Sequence, residues 1–431
     1  MFCPLPWIST NIRNNGDLRL CCHSNHGPDK GLLRKSDNTV YNAKNDSFSE
    51  AINSEKSKDT RLKLLNNKWP EDCIRCKREE AAGIRSRFTY EKEIWADYID
   101  EDKARTLTKN DGTIDPKPVY FDIRFGNKCN LACRICSPTD SSLWYKDHYN
   151  LHGNTYWDTG GKVTIEKNSN KYYTDNTSYE WYKSESFWKE LKKQIPYIKH
   201  VHMVGGEPLI INEQYKFLEE CIKQGYAKNI IIEHNSNIVN IPDKAWNLWK
   251  HFKTIKIGAS IDGFGKANDY MRYPSKWENI EKNLLRFENE KDIDLRIWIA
   301  CTVSIYNIYY LPEFFEWIIS QNFKNIGSDW MPIASLHPLH APKHLNCKIL
   351  PLNVKNKIKK HFDEFSDSKF KDKVKPARKL LNQYLEYMFQ DDWSSEMPKF
   401  LEINNKLDKL RNTYMKDYLP ELIEMLEKNN V

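Results

Sequence analysis

The sequence predicts an α/β fold built on a parallel sheet, with a cysteine-rich N-terminal module and a helical C-terminal extension. Three observations predict it. Short strands alternate with amphipathic helices between residues 117 and 335, the cysteines gather ahead of and just inside that region, and residues 350–431 are Lys- and Glu-rich with helical periodicity. With 431 residues, 40% of them hydrophobic, the chain can hold one large domain with additions or two to three smaller ones.

Residues 1–100 read as a module of short segments, with a turn at Asn14-Asn15-Gly16, a polar stretch from His23 to Lys58, and a helical pattern from Ala81 to Tyr98. An Asp-, Lys- and Thr-rich linker is expected from Asp102 to Pro116. Six strands follow: Val119–Phe125, His200–Val204, Asn229–Glu233, Thr254–Ile261, Leu295–Val303 and Asn325–Trp330. Between them, Glu213–Gln224 places Phe217, Leu218, Cys221 and Ile222 on one helical face, Pro242–Phe252 opens on Pro-Asp, and Lys276–Glu290 spaces Trp277, Ile280, Leu284 and Leu285 as a helix does. In the tail, Ile403, Leu407 and Leu410, then Leu419, Leu422, Ile423 and Leu426, make apolar faces, and the charges are expected to be a solvated face.

Several classes are disfavoured. No uninterrupted apolar run reaches the roughly eighteen residues of a membrane span. A net charge of +7, spread among many acidic residues, does not indicate nucleic-acid binding. The N-terminus lacks the pattern of a secretory signal, and eleven cysteines, an odd number in clusters, fit metal sites in a reducing compartment better than a disulfide framework. A cytoplasmic location is expected. Cys221, Cys301 and Cys347 stand alone and are expected in the core.

The most informative stretch is Phe125-Gly-Asn-Lys-Cys-Asn-Leu-Ala-Cys-Arg-Ile-Cys-Ser137, where Cys129, Cys133 and Cys136 lie within one loop with no fourth cysteine beside them. Iron-sulfur clusters usually take four cysteines, and a site short of one ligand leaves a coordination position open for chemistry. A zinc knuckle or three unrelated thiols is the plainer alternative.

This spacing, with Ile135 before the last cysteine, resembles the signature of radical S-adenosylmethionine (SAM) enzymes. The resemblance implies a 4Fe-4S cluster on Cys129, Cys133 and Cys136, whose open iron chelates SAM, and a partial (β/α)6 TIM-like barrel in which chemistry gathers at the carboxyl ends of the strands. It also implies cleavage of SAM to a 5′-deoxyadenosyl radical, with electrons from a reductant such as flavodoxin or ferredoxin. Met203-Val-Gly-Gly-Glu-Pro-Leu209 resembles the family's Gly-Gly-Glu-Pro turn, in which Gly205 and Gly206 permit close backbone approach and Glu207, followed by Pro208, faces the SAM ammonium. Asn235, Ser236 and Asn237, then Ser260 and Asp262, match positions where relatives place polar groups around SAM, and Arg272 is a candidate fork for a carboxylate. Thr302, Val303 and Ser304 fall near the expected adenine site. Turn capping is the alternative for any one of these.

Cys3, Gly16 separated by four residues from Cys21, and Cys73-Ile-Arg-Cys76 resemble the twitch module, a shortened relative of SPASM, which implies a second, auxiliary 4Fe-4S cluster on Cys3, Cys21, Cys73 and Cys76. Here the module precedes the barrel instead of following it, and Cys22 competes with Cys21. Structural zinc remains open, with His23 and His26 nearby. Residues 137–198 form an aromatic-rich insertion, read either as a binding element or as a hairpin packed by its rings. The resemblance leans toward a peptide or protein side chain as substrate, against a nucleoside, sugar or small metabolite. A non-catalytic iron-sulfur or zinc scaffold is the rival from another class.

Overall fold

The computed structural model describes residues 1–428 apart from 28, 82–84, 116, 159–160, 176, 328–333 and 366–374. Two strands come first, β1 (Ser9–Ile12) and β2 (Leu18–Arg19), followed by β3 (Tyr120–Phe125). The insertion carries two hairpins, β4 (Thr155–Asp158) with β5 (Gly161–Thr164) and β6 (Glu166–Asn168) with β7 (Lys171–Tyr173). Then come β8 (His200–Gly205), β9 (Ile231–Ser236), β10 (Thr254–Ser260), β11 (Leu295–Val303) and β12 (Ser335–Pro338).

From β3 through β8, β9, β10, β11 and β12 every strand is parallel to the next and neighbours lie in chain order, which is the partial (β/α)6 arrangement. Successive right-handed crossovers then keep the helices on one face. Alternate residues prove the point: Phe121, Ile123, Val201, Met203, Ile232, Ile255, Ile257, Ile297 and Ile299 share one apolar core with Phe187, Phe217, Leu218, Trp246, Ile280 and Phe314 of the connecting helices. The intervening residues point to the opposite, inner face. There the register aligns Asp122 with His202, His202 with Glu233, Glu233 with Lys256 and Lys256 with Arg296. A filled barrel would stack branched apolar residues in its interior; a polar inner row marks a cleft.

The N-terminal module is built into this sheet. β1 pairs in parallel with β3 and antiparallel with β2, so the sheet has eight strands. The turn between β1 and β2 needs Gly16, whose φ is +87° and whose absent side chain leaves room for Asn42 and Trp181. Helices Glu55–Leu65, Ile74–Ala81 and Arg87–Ile94 complete the module.

Several expectations are corrected. The third strand starts at Ile231 and runs through Ser236, while Ala227–Asn229 is a 3-10 turn. The sixth strand is Ser335–Pro338, not Asn325–Trp330: Ile326 makes an isolated bridge to Ile297, and residues 328–330 of the expected strand lie outside the described residues. The expected linker contains a helix, Glu101–Leu107, and Ala104 and Ile114 pack into the module's own core; its last residue, Pro116, lies outside the described residues. In the tail the buried face of helix Met397–Arg411 is Phe400, Asn404, Leu407, Asp408 and Arg411, leaving Leu410 43% exposed. Leu285 is likewise exposed. Cys221, Cys301 and Cys347 are buried, as expected for core thiols. Most rings of the insertion pack inward: Trp181 and Tyr182 join the main core, and Tyr145 and Tyr179 close over Val163 and Ile165, whereas Trp157 is largely exposed. No helix among the described residues is long and apolar enough to cross a membrane.

Candidate metal and cofactor site

The loop after β3 carries Cys129, Cys133 and Cys136, and it is held mostly by backbone. Ala132 N donates to Tyr273 O (2.6 Å), Arg134 N to Met271 O (2.7 Å) and Glu207 N to Lys128 O (2.9 Å). Leu131 N reaches Cys129 Sγ at 3.4 Å. The three thiols feel one another: a hydrogen bond with Cys136 holds Cys133 below its ordinary pKa, the same bond raises Cys136, and burial pushes Cys129 up to about 12. Buried thiols whose ionisation is opposed, as at Cys129 and Cys136, need a cation to become thiolates, which suits a metal cluster with soft ligands.

The Gly-Gly turn explains itself sterically. At Gly205, with φ of +129°, a Cβ would stand 2.7 Å from Phe125 N, and at Gly206 one would stand 2.2 Å from Lys128 O. Any side chain here would push the turn off the cysteine loop. Glu207 is buried and braces the ends of β8 and β9: Leu209 N (3.1 Å) and Ser236 Oγ (2.8 Å) donate to Oε1, and Asn237 N (2.8 Å) donates to Oε2. A carboxylate has about four lone-pair positions, so one on Oε2 stays open. Burial raises this carboxyl to about 7 despite those bonds, so a cationic ligand would restore its charge. Pro208 is buried at the head of a 3-10 turn.

The other expected residues divide into two sets. Asn237 Nδ2 donates to Asn130 Oδ1 (2.8 Å), tying β9 to the cysteine loop, and Asp262 accepts from Thr302 N (2.8 Å) and meets Arg272 Nε at 2.8 Å. These, with Ser236, are internal braces. Burial opposes the charge of Arg272, yet Asp262, Cys133 and Cys136 keep it firmly protonated. Asn235, Ser260, Arg272 and Thr302 line a cavity of about 540 Å³ on the inner face, whereas Val303 and Ser304 are buried beside it. Arg272 belongs to both sets.

Sequence reasoning missed the clamp on the cysteine loop. Arg134, fully buried between Cys133 and Cys136, donates to Asp408 Oδ1 (2.6 Å), Asn404 Oδ1 (3.1 Å) and Tyr270 O (3.1 Å), with its guanidinium 3.6 Å from the centre of the Tyr270 ring. Arg411 pairs with Asp147 at 2.8 Å and lies over Trp144, whose Nε1 donates to Cys133 O (2.8 Å). The tail's charges are therefore not all a solvated face. The signal was present: Asn404, Asp408 and Arg411 recur at helical spacing beside Leu407 on what should be an apolar stripe.

In the N-terminal module Cys3, Cys21, Cys73 and Cys76 sit together. Burial raises all four thiols, Cys21 to about 12, and Cys73 adds to the rise of Cys3, Cys76 to that of Cys21, and Cys21 to that of Cys73. Cys22 adds to the rise of Cys21 as well, and it also acts on Arg19 and Arg87. Asp72 pins the surrounding turns, accepting from Gly31 N (3.0 Å) and Lys56 Nζ (2.9 Å), while Gly27 leaves the space that Asp72 fills. His23 Nδ1 lies 3.8 Å from Cys76 Sγ and 4.0 Å from Glu79 Oε2, and the three donor atoms are within 4.8 Å of one another.

Comparison with known proteins reaches this module directly. Residues 3–77 match the SPASM iron-sulfur cluster-binding domain. That match spans all four grouped cysteines, and it gives the N-terminal module an iron-sulfur pattern. Partial overlaps are found with anSMEcpe with bound AdoMet (16% identity, 56% of this chain and 59% of that chain, TM-score 0.34) and with the same protein carrying the Cp18Cys peptide (17% identity, 56% and 57%, TM-score 0.34). Another is with Streptococcus suis SuiB bound to precursor peptide SuiA (13% identity, 68% and 59%, TM-score 0.31). The chain thus spans under two thirds of each of those chains. No curated protein matches the sequence.

Proposed function

We propose that the protein is a radical SAM enzyme that abstracts a hydrogen atom from a peptide or protein side chain. The observation that carries this is the packing of the Gly205-Gly206-Glu207 turn, backbone against backbone, on the loop of Cys129, Cys133 and Cys136 at the carboxyl end of the sheet. Those cysteines would hold a 4Fe-4S cluster, and Cys3, Cys21, Cys73 and Cys76 an auxiliary one. When bound, the first cluster and SAM together supply the one-electron cleavage that yields a 5′-deoxyadenosyl radical. The chain's own residues bind and orient. Glu207 offers its remaining lone pair to an ammonium, Arg272 its positive charge beside the cysteine loop, and Asn235, Ser260 and Thr302 offer polar atoms to hydroxyls along the cavity wall. A flavodoxin or ferredoxin as reductant, a reducing cytoplasmic setting and three domains, the N-terminal module carried on through Ile114, the barrel from β3 through β12 and the tail 350–431, complete the proposal.

Anaerobically reconstituted protein, reduced with dithionite in the presence of SAM, should release 5′-deoxyadenosine, and Cys133→Ala should release none. A wild-type protein that retains its iron yet leaves SAM intact overturns the reading in favour of a scaffold. The group of His23, Cys76 and Glu79 favours one second reading, zinc in the N-terminal module. Metal analysis decides: about eight irons per chain fit two clusters, and about four with one zinc fit the alternative.

A further inference from the structure

The inner cavity has a charged floor that neither cysteine site uses. Lys256 and Arg296 stand opposite each other on β10 and β11, and Glu233 is opposite Lys256 on β9; all three line the cavity, with Trp298 and Tyr90 on its walls. Among the described residues, Glu233 is engaged on its other side by His200 at 2.9 Å and His202 at 3.7 Å, and Arg272 by Asp262. No described carboxylate comes within ion-pair distance of Lys256 or Arg296. Among the described residues the floor therefore carries two cations against one carboxylate, an excess that a single negative charge neutralises.

We propose that this cavity seats one carboxylate of the substrate peptide between Lys256 and Arg296, a placement whose peptide part rests on the function proposed above. A carboxylate is favoured over a phosphate because Glu233 shares the floor and would repel a second negative charge. Arg296 is exposed and Lys256 half-buried, so the guanidinium is the more accessible of the two cations. The volume of about 540 Å³ accommodates an acidic residue with its neighbours. Tyr90 comes from helix Arg87–Ile94 of the N-terminal module, and burial keeps its hydroxyl protonated up to about 12, which makes it a donor at neutral pH. Module and sheet thus build the pocket jointly, and the cavity continues to Ser260, Arg272 and Thr302 on the SAM side. The floor would fix the end of the peptide, leaving the reacting residue toward the cysteine loop.

The test uses the full chain with clusters reconstituted and no reductant. Dissociation constants are measured by ligand-observed NMR for acetyl-Ala-Glu-Ala-amide, its Gln counterpart, and acetyl-Ala-Ala-Ala with a free terminal carboxylate. At least one acidic peptide should bind about 10-fold tighter than the neutral one, and which of them does so tells a side-chain carboxylate from a C-terminal one. The Lys256→Gln/Arg296→Gln double variant should erase the preference, whereas Arg296→Lys should keep most of it. If the double variant misfolds, Arg296→Glu, at an exposed position, replaces it and should reverse the preference. Equal binding of acidic and neutral peptides overturns the proposal, as does a preference that survives in the folded double variant. Inorganic phosphate displacing the acidic peptide at lower concentration than acetate, lost in the same variant, overturns it in favour of a phosphate site. Because SAM cleavage is not read, a chain that binds the acidic peptide but never releases 5′-deoxyadenosine loses the function and keeps the carboxylate site, and the converse result does the opposite.

Discussion

The two cysteine sites are held in place by different means. The N-terminal four lie where neighbouring turns of one module meet, with Asp72, Gly27, Gly31 and Lys56 pinning those turns to one another. The triplet at Cys129, Cys133 and Cys136 occupies a single short loop whose position depends on partners across the whole chain, from Glu207 and Tyr273 to Asn404, Asp408 and Arg411. A four-ligand site can be local because its ligands surround the metal. A three-ligand site must stay open on one side, so its rigidity has to be imported.

The sharpest break in this comparison is Asp408→Ala. It strands the buried Arg134 guanidinium, and losing one partner of a buried pair costs about 3–5 kcal/mol. Urea midpoints should fall accordingly, and iron should drop from the triplet while the N-terminal site keeps its share; equal loss from both sites would mean that the two are held by the same contacts. Gly206→Ala comes next. A Cβ 2.2 Å from Lys128 O meets backbone, which cannot swing aside, and overpacking of this kind costs about 3 kcal/mol. Its iron content should again fall at the triplet, and a variant with wild-type stability and iron would mean that the turn and loop move together freely.

Asp72→Ala is the mirror experiment. It removes the acceptor of Gly31 N and Lys56 Nζ, worth about 2 kcal/mol, and should empty the N-terminal site while leaving the triplet's iron in place. The smallest effect tests the tail away from either site. His361 lies 2.7 Å from Glu313, and that bond raises its pKa above the ordinary imidazole value. The stabilisation is fully present below the ordinary pKa and is lost as pH rises through the raised one. His361→Gln should therefore cost less than about 1 kcal/mol in the acidic range, since the pair is partly exposed, and nothing in the alkaline range; thermal melts at both pH values measure it.

Much of the sheet was legible because its outer face repeats Ile, Val and Phe at alternate positions: Phe121, Ile123, Ile255, Ile257, Ile297 and Ile299 announce strands wherever they fall. Ser335–Pro338 was missed for the same reason, being Ser-Leu-His-Pro and held by pairing with β11, not by its own propensity. The cysteine loop and the glycine turn were visible as types of residue at fixed spacing. Their mutual contact was not, because it is made between main-chain atoms that carry no residue-specific mark. The clamp was hidden by distance: nothing local to Arg134 says that Asp408 will answer it, and a charge on a helical stripe reads as solvated until its partner is known. Glu207 was recognised as a binding group, yet three of its acceptor positions serve Leu209, Ser236 and Asn237.

The parallel pairing of β1 with β3 bears on the order in which the protein comes into being. As the chain leaves the ribosome, β1 has only the two-residue β2 beside it, because the strand that completes its hydrogen bonds begins at Tyr120. Until then the N-terminal thiols are on nascent chain without the sheet behind them. β1 therefore keeps one edge open until β3 arrives, and the place of the module in the sheet is settled only then.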